Sequence, residues 1–352
     1  MRLDECNYEL PSELIAQQPA RVRDQARLLI VERSRQTISH AQMADLPTLL
    51  TSQDVLVIND TKVFPARLLG RRRDTGGKVE ILLVRQEDTR CWQALVKPSH
   101  RLAEGSEVIF DGSDWHAEIG ARQGTSLRRV ELHGSGNVRT WLSQHGRVPL
   151  PPYIKRDDGG EVPDAVAEGQ DRRRYQTVYA KHWGSVAAPT AGLHVSRRLL
   201  RRLREKGVEI YAVTLHVGPG TFRPVRSATV ESHAMDAERY RISPAVAAAL
   251  HAAKAAGKRV IAVGTTSTRT LESAADAAGR LCELEGDTNL FIYPGYRFKV
   301  VDAILTNFHL PRSTPLLLVM ALAGREMVLA AYHEEMVQRY RFYSYGDAML
   351  IV

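Results

Sequence analysis

The sequence predicts an α/β protein in which a mixed-sheet α/β core domain carries an inserted small antiparallel β-barrel domain. Strands alternate with helices in the second half of the chain, which is typical of a partly parallel sheet. Closely spaced short apolar runs lie within 66–146, and an apolar strand at 55–58 needs partners from later in the chain. We therefore assign residues 1–65 and 147–352 to a discontinuous core and residues 66–146 to the insertion.

The core domain is predicted from apolar runs and from residues that begin or end helices. Apolar runs predict strands at 28–31, 55–58, 208–215 and 259–263. Ser196 can cap a helix that Gly207 ends, with Leu199, Leu200 and Leu203 as its buried stripe. The other predicted helices cover 244–256, a segment that starts at Ser267, 316–323 and 325–339.

The inserted block is predicted to be a barrel because turn signals such as Gly76-Gly77 separate its apolar runs. Those runs are 79–84, 91–96, 107–110, 115–119 and 127–132. A short helix closes the block, with Asn137 as its cap and Gly146 as its end. The proline-rich and glycine-rich residues 149–174 are predicted to form a mobile connection.

The composition narrows the class of protein. With 352 residues, 44% of them hydrophobic, the chain can bury a core of good size, and its net charge of +8 permits an anionic partner. Cys6, Cys91 and Cys282 are too far apart in sequence for a zinc knuckle or a disulfide framework and fit a reducing cytoplasm. The longest apolar run, 316–324, is too short for a membrane span, and the N-terminal residues do not form a signal peptide. We expect a cytoplasmic monomer with no membrane association and no required protein partner.

Several loops carry the residue types that bind ligands. They combine glycine, proline, hydroxyl residues and histidine, and most follow or end predicted strands, where α/β proteins place their ligands. The segments are 187–194, 215–222, 263–269, 291–296 with 306–311, and 342–347. Taken singly, a turn explains each glycine and a structural hydrogen bond explains each histidine. The convergence of several such loops at one sheet edge favours a binding site.

Two standard motifs are excluded. Gly218 and Gly220 follow a strand, but Pro224 comes next and the third glycine of a dinucleotide fingerprint is missing. The helix at His333 lacks a second histidine at Val337, so it is not a zinc-binding HExxH motif, and we expect no metal.

Other patterns favour anions. The segment 264–266 lies between a strand and a helix, where free N–H groups attract anions and the threonine hydroxyls can bind a carboxylate or a ribose. Basic clusters at 71–73, at 172–174 and along the helix after Ser196 indicate phosphate-backbone binding as readily as a solvated surface. The candidate residues for phosphate-backbone binding on that helix are Arg197, Arg198, Arg201 and Arg202.

Long motifs resemble one family closely and in the right order. They are AAPTAGLH, TLHVGPGTFRPV, VGTTSTRTLES, IYPGYRFKVVDAILTNFHLP and YSYGDAMLI, with ELPSELIAQQPA, RDQARLL and NDTKVFPARLLG nearer the N-terminus. The family is the S-adenosylmethionine:tRNA ribosyltransferase-isomerase of the queuosine pathway, and the resemblance covers nearly the whole chain. It departs at Val195, where a phenylalanine is usual, and at Asp236, where a histidine is usual.

The resemblance implies a reaction. The ribosyl part of S-adenosylmethionine moves onto 7-aminomethyl-7-deazaguanine at the wobble position of tRNA, epoxyqueuosine forms, and adenine and methionine leave. S-adenosylmethionine is then a consumed co-substrate, and no cofactor is expected. The resemblance also implies an α/β core with an inserted barrel and a cytoplasmic setting.

Read with the loops above, the resemblance also implies a set of site residues. His216 or His194 would transfer protons, Arg269 would pair with the methionine carboxylate, and Asp347 would bind the ammonium group or the deazaguanine edge. Threonine hydroxyls would hold ribose or carboxylate oxygens, namely those of Thr190, Thr221, Thr265 and Thr266. The base or adenine pocket would be lined by Tyr293, Asn307 and His309. The expected substrate-binding set is completed by Gly192, Gly218, Gly220, Gly264 and Tyr343.

Two other functions remain open from the residues alone. A conventional methyltransferase needs a glycine-rich loop early in a βαβ unit and an acidic residue that ends the next strand, and that pair is absent from the sequence. A non-catalytic RNA-binding protein with a barrel module explains the basic clusters but not the loops that carry threonine, histidine and tyrosine.

Overall fold

The computed structural model describes residues 1–124, 126–156, 165–222, 225 and 229–352. Its strands are β1 (Arg27–Glu32), β2 (Thr37–Gln42), β3 (Asp54–Asn59), β4 (Thr61–Val63), β5 (Arg67–Arg72), β6 (Lys78–Gln86), β7 (Cys91–Lys97), β8 (Ser106–Ile109), β9 (His116–Gln123), β10 (Leu127–His133), β11 (His182–Ser185), β12 (Glu209–Leu215), β13 (Glu238–Arg241), β14 (Arg259–Val263), β15 (Glu285–Thr288), β16 (Ala303–Asn307) and β17 (Ala348–Ile351). Its α-helices are α1 (Leu46–Leu49), α2 (Val138–His145), α3 (Ala165–Arg174), α4 (Arg197–Glu205), α5 (Pro244–Ala255), α6 (Gly264–Ala274), α7 (Thr314–Ala323) and α8 (Arg325–Val337).

A mixed sheet forms the centre of the core domain. Among the described residues it has nine strands in the order β15-β13-β12-β3-β14-β16-β17-β1-β2. The central strands β12, β3, β14 and β16 are parallel, whereas β17 pairs antiparallel with β16. Every residue of β3 is buried, as expected for a strand covered by helices on both faces. The predicted fold class is confirmed.

Helices cover both faces of this sheet. One face packs against α4 through Leu199 and Leu203. The other face packs against α5 and α6 near β12 and β14, and against α7 and α8 near β16 and β17. The predicted cap of α4 is confirmed, because Ser196 Oγ accepts a hydrogen bond of 3.0 Å from the N–H of Leu199.

The strands β10-β7-β6-β5-β8-β9 close into an antiparallel barrel with its own apolar core. These strands and α2 lie within residues 66–146, and Asn137 caps α2 as its position predicted. The short parallel pair β4 and β11 lies where the chain leaves the core and returns to it. Phe64 and Trp183 from this junction pack with Trp92 of the barrel.

Some predictions from sequence need correction. Residues 165–174 form helix α3 rather than an irregular connection, while residues 157–164 lie outside the described part of the chain. The helix predicted from Ser267 begins earlier, at Gly264. Within the described residues no single helix has the length and apolar character to cross a membrane, and α7 and α8 meet that test only as a pair bent by 115°.

Candidate active site

The predicted loops converge at one edge of the sheet. Because β3, β12, β14 and β16 are parallel, the segments that follow them begin at the same edge. The antiparallel β17 starts there too, since Ala348 pairs with Asn307. The loops after β12, β14 and β16 and the loop before β17 therefore surround a common space.

That space is a cavity of about 630 Å³, part of it open to solvent. Its polar lining comes from Thr190, Thr221, Thr265, Thr266, Thr306, Asn307, Ser313 and Ser344, and its rings from Tyr153, Phe308, His309 and Tyr343. The described lining contains no Asp, Glu, Lys or Arg, so hydroxyl, amide, imidazole and backbone groups would contact a ligand there.

The N-terminus of α6 lies at this cavity. Gly264 adopts a φ of 87°, which turns the chain from β14 directly into the helix. No side chain caps the first N–H groups of α6, which leaves them for a ligand. Thr266 is 6% exposed, and its Oγ1 has no hydrogen-bond partner among the described residues.

Asn307 presents a second unpartnered oxygen to the cavity. Its Nδ2 donates to the carbonyl oxygen of Tyr343 at 3.0 Å, which fixes the orientation of the amide. The same Nδ2 lies 2.9 Å from His194 Nε2, which must therefore accept. Asn307 Oδ1 is left without a partner in the described chain, although the residue is only 2% exposed.

His194 is therefore neutral and carries its proton on Nδ1. Burial lowers its pKa to about 4, and the nearby Asp347 only partly opposes that shift. His194 lies behind Asn307 and does not line the main cavity.

His309 is the histidine that lines the cavity in the described chain. Its Nε2 lies 2.9 Å from Thr306 Oγ1, and its N–H donates to Tyr332 Oη at 2.9 Å. The hydroxyl of Tyr8 donates to its carbonyl oxygen, so the backbone is held on both sides. Burial lowers the pKa of His309 to about 3, which keeps the imidazole neutral.

His216 lies outside the cavity lining, although the adjacent Val217 faces it. The Nδ1 of His216 lies 2.8 Å from Thr61 Oγ1, at the junction between core and barrel. A Cβ on Gly184 would come within 2.9 Å of the ring, so His216 fills the space beside β11. Burial lowers the pKa of His216.

Arg269 and Asp347 are engaged within the protein. The guanidinium of Arg269 pairs with Glu238, and both residues are buried. Glu238 also accepts from the N–H of Gly218 at 2.8 Å and from Thr221 Oγ1 at 2.9 Å, which fixes the loop after β12. The carboxylate of Asp347 accepts hydrogen bonds from the backbone N–H groups of Arg27 and Arg341 at 3.0 and 2.9 Å. In this structure neither charge faces the main cavity.

The remaining predicted residues divide between lining and support. The predicted residues that line the cavity are Thr190, Thr221, Gly264, Thr265, Thr266, Asn307, His309 and Tyr343. Those outside its lining are Gly192, Gly218, Gly220, Arg269, Tyr293, Asp347, His194 and His216. Gly192 is explained by close packing, because a Cβ there would come within 2.0 Å of Tyr179 Oη.

The arginines of α4 also differ in their surroundings. Arg198 pairs with the buried Asp24 at 3.1 Å, and Arg202 donates to the carbonyl oxygen of Ala44 at 3.0 Å. Arg197 and Arg201 are exposed, with Glu205 3.7 Å from Arg201. All four candidate tRNA-binding arginines are exposed, and two of them also bond within the fold.

Sequence reasoning did not single out four of the polar lining residues. Thr306 precedes Asn307, and Ser344 follows Tyr343, so their position in the motifs was an available signal. Ser313 caps α7 through its contact with the N–H of Leu316. Tyr153 reaches the cavity from the connection after the barrel, which carried no periodic signal.

The fold and the cavity define a class: an α/β protein with an inserted barrel and an uncharged, hydroxyl-rich pocket at the carboxyl edge of its sheet. The family model described as queuosine biosynthesis protein matches residues 3–351, and the chain belongs to this family.

Similar proteins extend over the full length of the chain. The S-adenosylmethionine:tRNA ribosyltransferase-isomerases of Symbiobacterium thermophilum and Moorella thermoacetica are 48% and 49% identical, and each match covers 100% of both chains. A crystal structure of S-adenosylmethionine tRNA ribosyltransferase from Thermotoga maritima is 34% identical. It covers 99% of this chain and 100% of its own, with a TM-score of 0.54.

Proposed function

We propose that this protein is an S-adenosylmethionine:tRNA ribosyltransferase-isomerase and that the cavity at the sheet edge is its active site. The product is epoxyqueuosine at the wobble position of tRNA, made from 7-aminomethyl-7-deazaguanine with release of adenine and methionine. The main support for this proposal is that two residues of one cavity, Thr266 and Asn307, each have a side-chain oxygen without a hydrogen-bond partner among the described residues. The cavity also contains the uncapped N-terminus of α6. The full-length similarity to enzymes of that name supports the choice of reaction.

The cavity suits S-adenosylmethionine group by group. The first N–H groups of α6 favour the methionine carboxylate, because a helix N-terminus attracts negative charge. The hydroxyl of Thr266 is placed to bind the carboxylate or the ribose. Asn307 Oδ1 accepts from a ribose hydroxyl or an exocyclic amine. The rings of Tyr153 and Tyr343, with centroids 4.6 Å apart, offer electron-rich faces to the sulfonium.

Of the three candidate histidines, His309 is the best placed to transfer a proton within the cavity. The reaction begins with loss of a proton from the ribose methylene that the sulfonium acidifies, and the acceptor must lie within hydrogen-bond reach. His309 lines the cavity, whereas His194 orients Asn307 and His216 bonds to Thr61. We therefore assign proton transfer to His309 and supporting positions to the other two.

The second substrate of the active site is a tRNA that carries 7-aminomethyl-7-deazaguanine. Adenine then leaves with a proton as the ribose opens, and the substrate amine loses a proton and bonds to the opened ribosyl carbon. The ylide carbon next closes the carbocycle, and an alkoxide finally displaces methionine to form the epoxide. No cofactor is required by this scheme, since S-adenosylmethionine supplies both the transferred group and the leaving groups.

The test is release of adenine from S-adenosylmethionine in the presence of this tRNA. We expect Thr266→Val, which removes one hydroxyl at constant shape, to lower kcat/KM for S-adenosylmethionine about tenfold, the loss expected for one hydrogen bond to a charged group. The matched control is Thr270→Val, because Thr270 Oγ1 bonds to the carbonyl oxygen of Thr266 one turn later and does not line the cavity.

The products distinguish the alternative functions. S-adenosylhomocysteine in place of adenine would indicate a methyltransferase, and tRNA binding without any product would indicate a binding protein. Equal kinetics for Thr266→Val and Thr270→Val would contradict the assignment of the cavity.

A further inference from the structure

A second, smaller pocket, part of it open to solvent, lies next to the active-site cavity and shares Ser344 with it. Its polar lining includes Arg23, Arg174, His194 and Tyr345. The reaction scheme above gives this pocket no ligand.

The pocket is rich in hydrogen-bond donors. Arg23 donates to three backbone carbonyl oxygens and Arg174 to two, so each guanidinium keeps further N–H groups available. Arg174 Nε is buried and has no hydrogen-bond partner among the described residues, whereas the hydroxyl of Tyr345 interacts with the carboxylate of Asp171. His194 adds a donor, because its Nε2 accepts from Asn307 and its proton is therefore on Nδ1.

The pocket also carries uncompensated positive charge. Within the described chain neither Arg23 nor Arg174 forms an ion pair, and each donates only to backbone carbonyl oxygens. The acid nearby, Asp171, is engaged by Arg156 through both carboxylate oxygens at 2.9 and 2.8 Å. Two partly buried guanidinium groups close together, neither of them paired with a carboxylate, favour an anionic ligand, because their charges have lost part of their hydration.

We propose that this pocket binds an RNA phosphodiester group adjoining the modified nucleotide, with Arg23, Arg174 and the Nδ1 of His194 as donors. This inference rests on the proposed function, which places the wobble base in the neighbouring cavity. Guanidinium groups match the geometry of phosphate oxygens, and buried ones give more specific contacts than exposed ones. The same donors would accept the methionine carboxylate, the other anion of the reaction, and the experiment separates the two.

The pocket is connected to the active site through one side chain. His194 lies between the phosphate-binding pocket and Asn307, whose amide it holds with Oδ1 unpaired. A phosphate that accepts from Nδ1–H keeps Nε2 as an acceptor and so stabilises the orientation of Asn307. The carbonyl oxygen of Tyr343 already fixes that orientation, so loss of the phosphate contact alone should leave the affinity for S-adenosylmethionine unchanged.

The experiment measures tRNA affinity as a function of salt and, separately, KM for S-adenosylmethionine at saturating tRNA. For Arg174→Gln and for Arg23→Gln we expect tRNA to bind about tenfold more weakly and the slope of log K against log salt to fall by about one. KM for S-adenosylmethionine should stay unchanged. The matched control is Arg35→Gln, which removes an exposed charge in the turn between β1 and β2, at the opposite edge of the sheet.

Arg174→Lys keeps the charge and should retain the slope. Unchanged tRNA affinity and slope in both Gln variants would overturn the proposal. A higher KM for S-adenosylmethionine with intact tRNA binding would also overturn it, because the pocket would then bind the methionine carboxylate. If the Gln variants fail to fold, inorganic phosphate decides: at fixed ionic strength it should weaken tRNA binding to the native protein more than chloride does. Equal effects of the two ions would overturn the proposal.

The same assays keep the two hypotheses apart. A native protein that binds tRNA with the predicted dependence on Arg174 but releases no adenine would contradict the proposed reaction and leave the phosphate-binding pocket in place.

Discussion

At the scale of single residues, the site depends on which polar atoms the fold satisfies and which it leaves for a ligand. The carbonyl oxygen of Tyr343 fixes the amide of Asn307, and that amide in turn fixes the tautomer of His194. The bonds that satisfy Nδ2 leave Oδ1 without a partner. A buried acceptor in this state costs about 1–3 kcal/mol, and a ligand that donates to it recovers this free energy.

The neutral His194 predicts a specific dependence of stability on pH. Its folded-state pKa of about 4 lies below the ordinary 6.5, so between these values the unfolded chain binds a proton that the folded protein does not. Stability should therefore fall as the pH drops from 6.5 towards 4, by up to about 1.4 kcal/mol per pH unit from this group. In His194→Gln, which keeps an acceptor for Asn307, urea unfolding should show a shallower decline over this range. Equal slopes in the two proteins would contradict the buried, neutral state of His194.

At the scale of the elements, the turn at Gly264 positions the hydroxyl groups of Thr265 and Thr266. Because its φ is 87°, Gly264→Ala should cost about 1–2 kcal/mol of stability and should also shift the N-terminus of α6, which raises KM for S-adenosylmethionine. Gly257→Ala is the matched control, since Gly257 has a φ of 74°, follows α5 and has no atom within 4 Å of an added Cβ. We expect a similar loss of stability in the control and an unchanged KM. An unchanged KM for S-adenosylmethionine in both variants would mean that the N-terminus of α6 does not contribute to substrate binding.

The helices and strands also show which parts of the fold could be predicted from the sequence. Caps such as Ser196 and apolar strands such as β3 carry local signals, and both were predicted correctly. The polar strands β13 and β15, at one end of the sheet order, were not predicted. Helix α3 was missed because it has no apolar stripe and is held by arginine contacts. The meeting of the loops follows from sheet topology, but the direction of each side chain does not. His216 and Val217 are adjacent, yet only Val217 lines the cavity, and the pairing of Arg269 with Glu238 joins segments that are distant in sequence.

At the scale of the whole molecule, the barrel is attached to the core by a small aromatic cluster. The ring centroid of Phe64 lies 4.4 Å from that of Trp183 and 5.3 Å from that of Trp92, and the guanidinium of Arg139 lies 4.9 Å from the ring of Trp183. His216 stabilises the same junction through its contact with Thr61. His216, which lies in one of the motifs predicted to bind a ligand, thus helps to connect the core domain and the barrel. The position of the barrel relative to the cavity depends on this junction.

Loss of Trp183 should uncouple the unfolding of these two units. The barrel is closed and has an apolar core of its own, and Trp183 packs across its junction with the core domain. Trp183→Ala should therefore cost about 2 kcal/mol and separate one thermal transition into two. Differential scanning calorimetry measures this directly, and Leu69→Ala is the control, because Leu69 is 40% exposed on the barrel surface and makes no contribution to the junction. A single transition in Trp183→Ala, shifted no further than in Leu69→Ala, would mean that the core and barrel unfold as one cooperative unit through contacts other than this cluster.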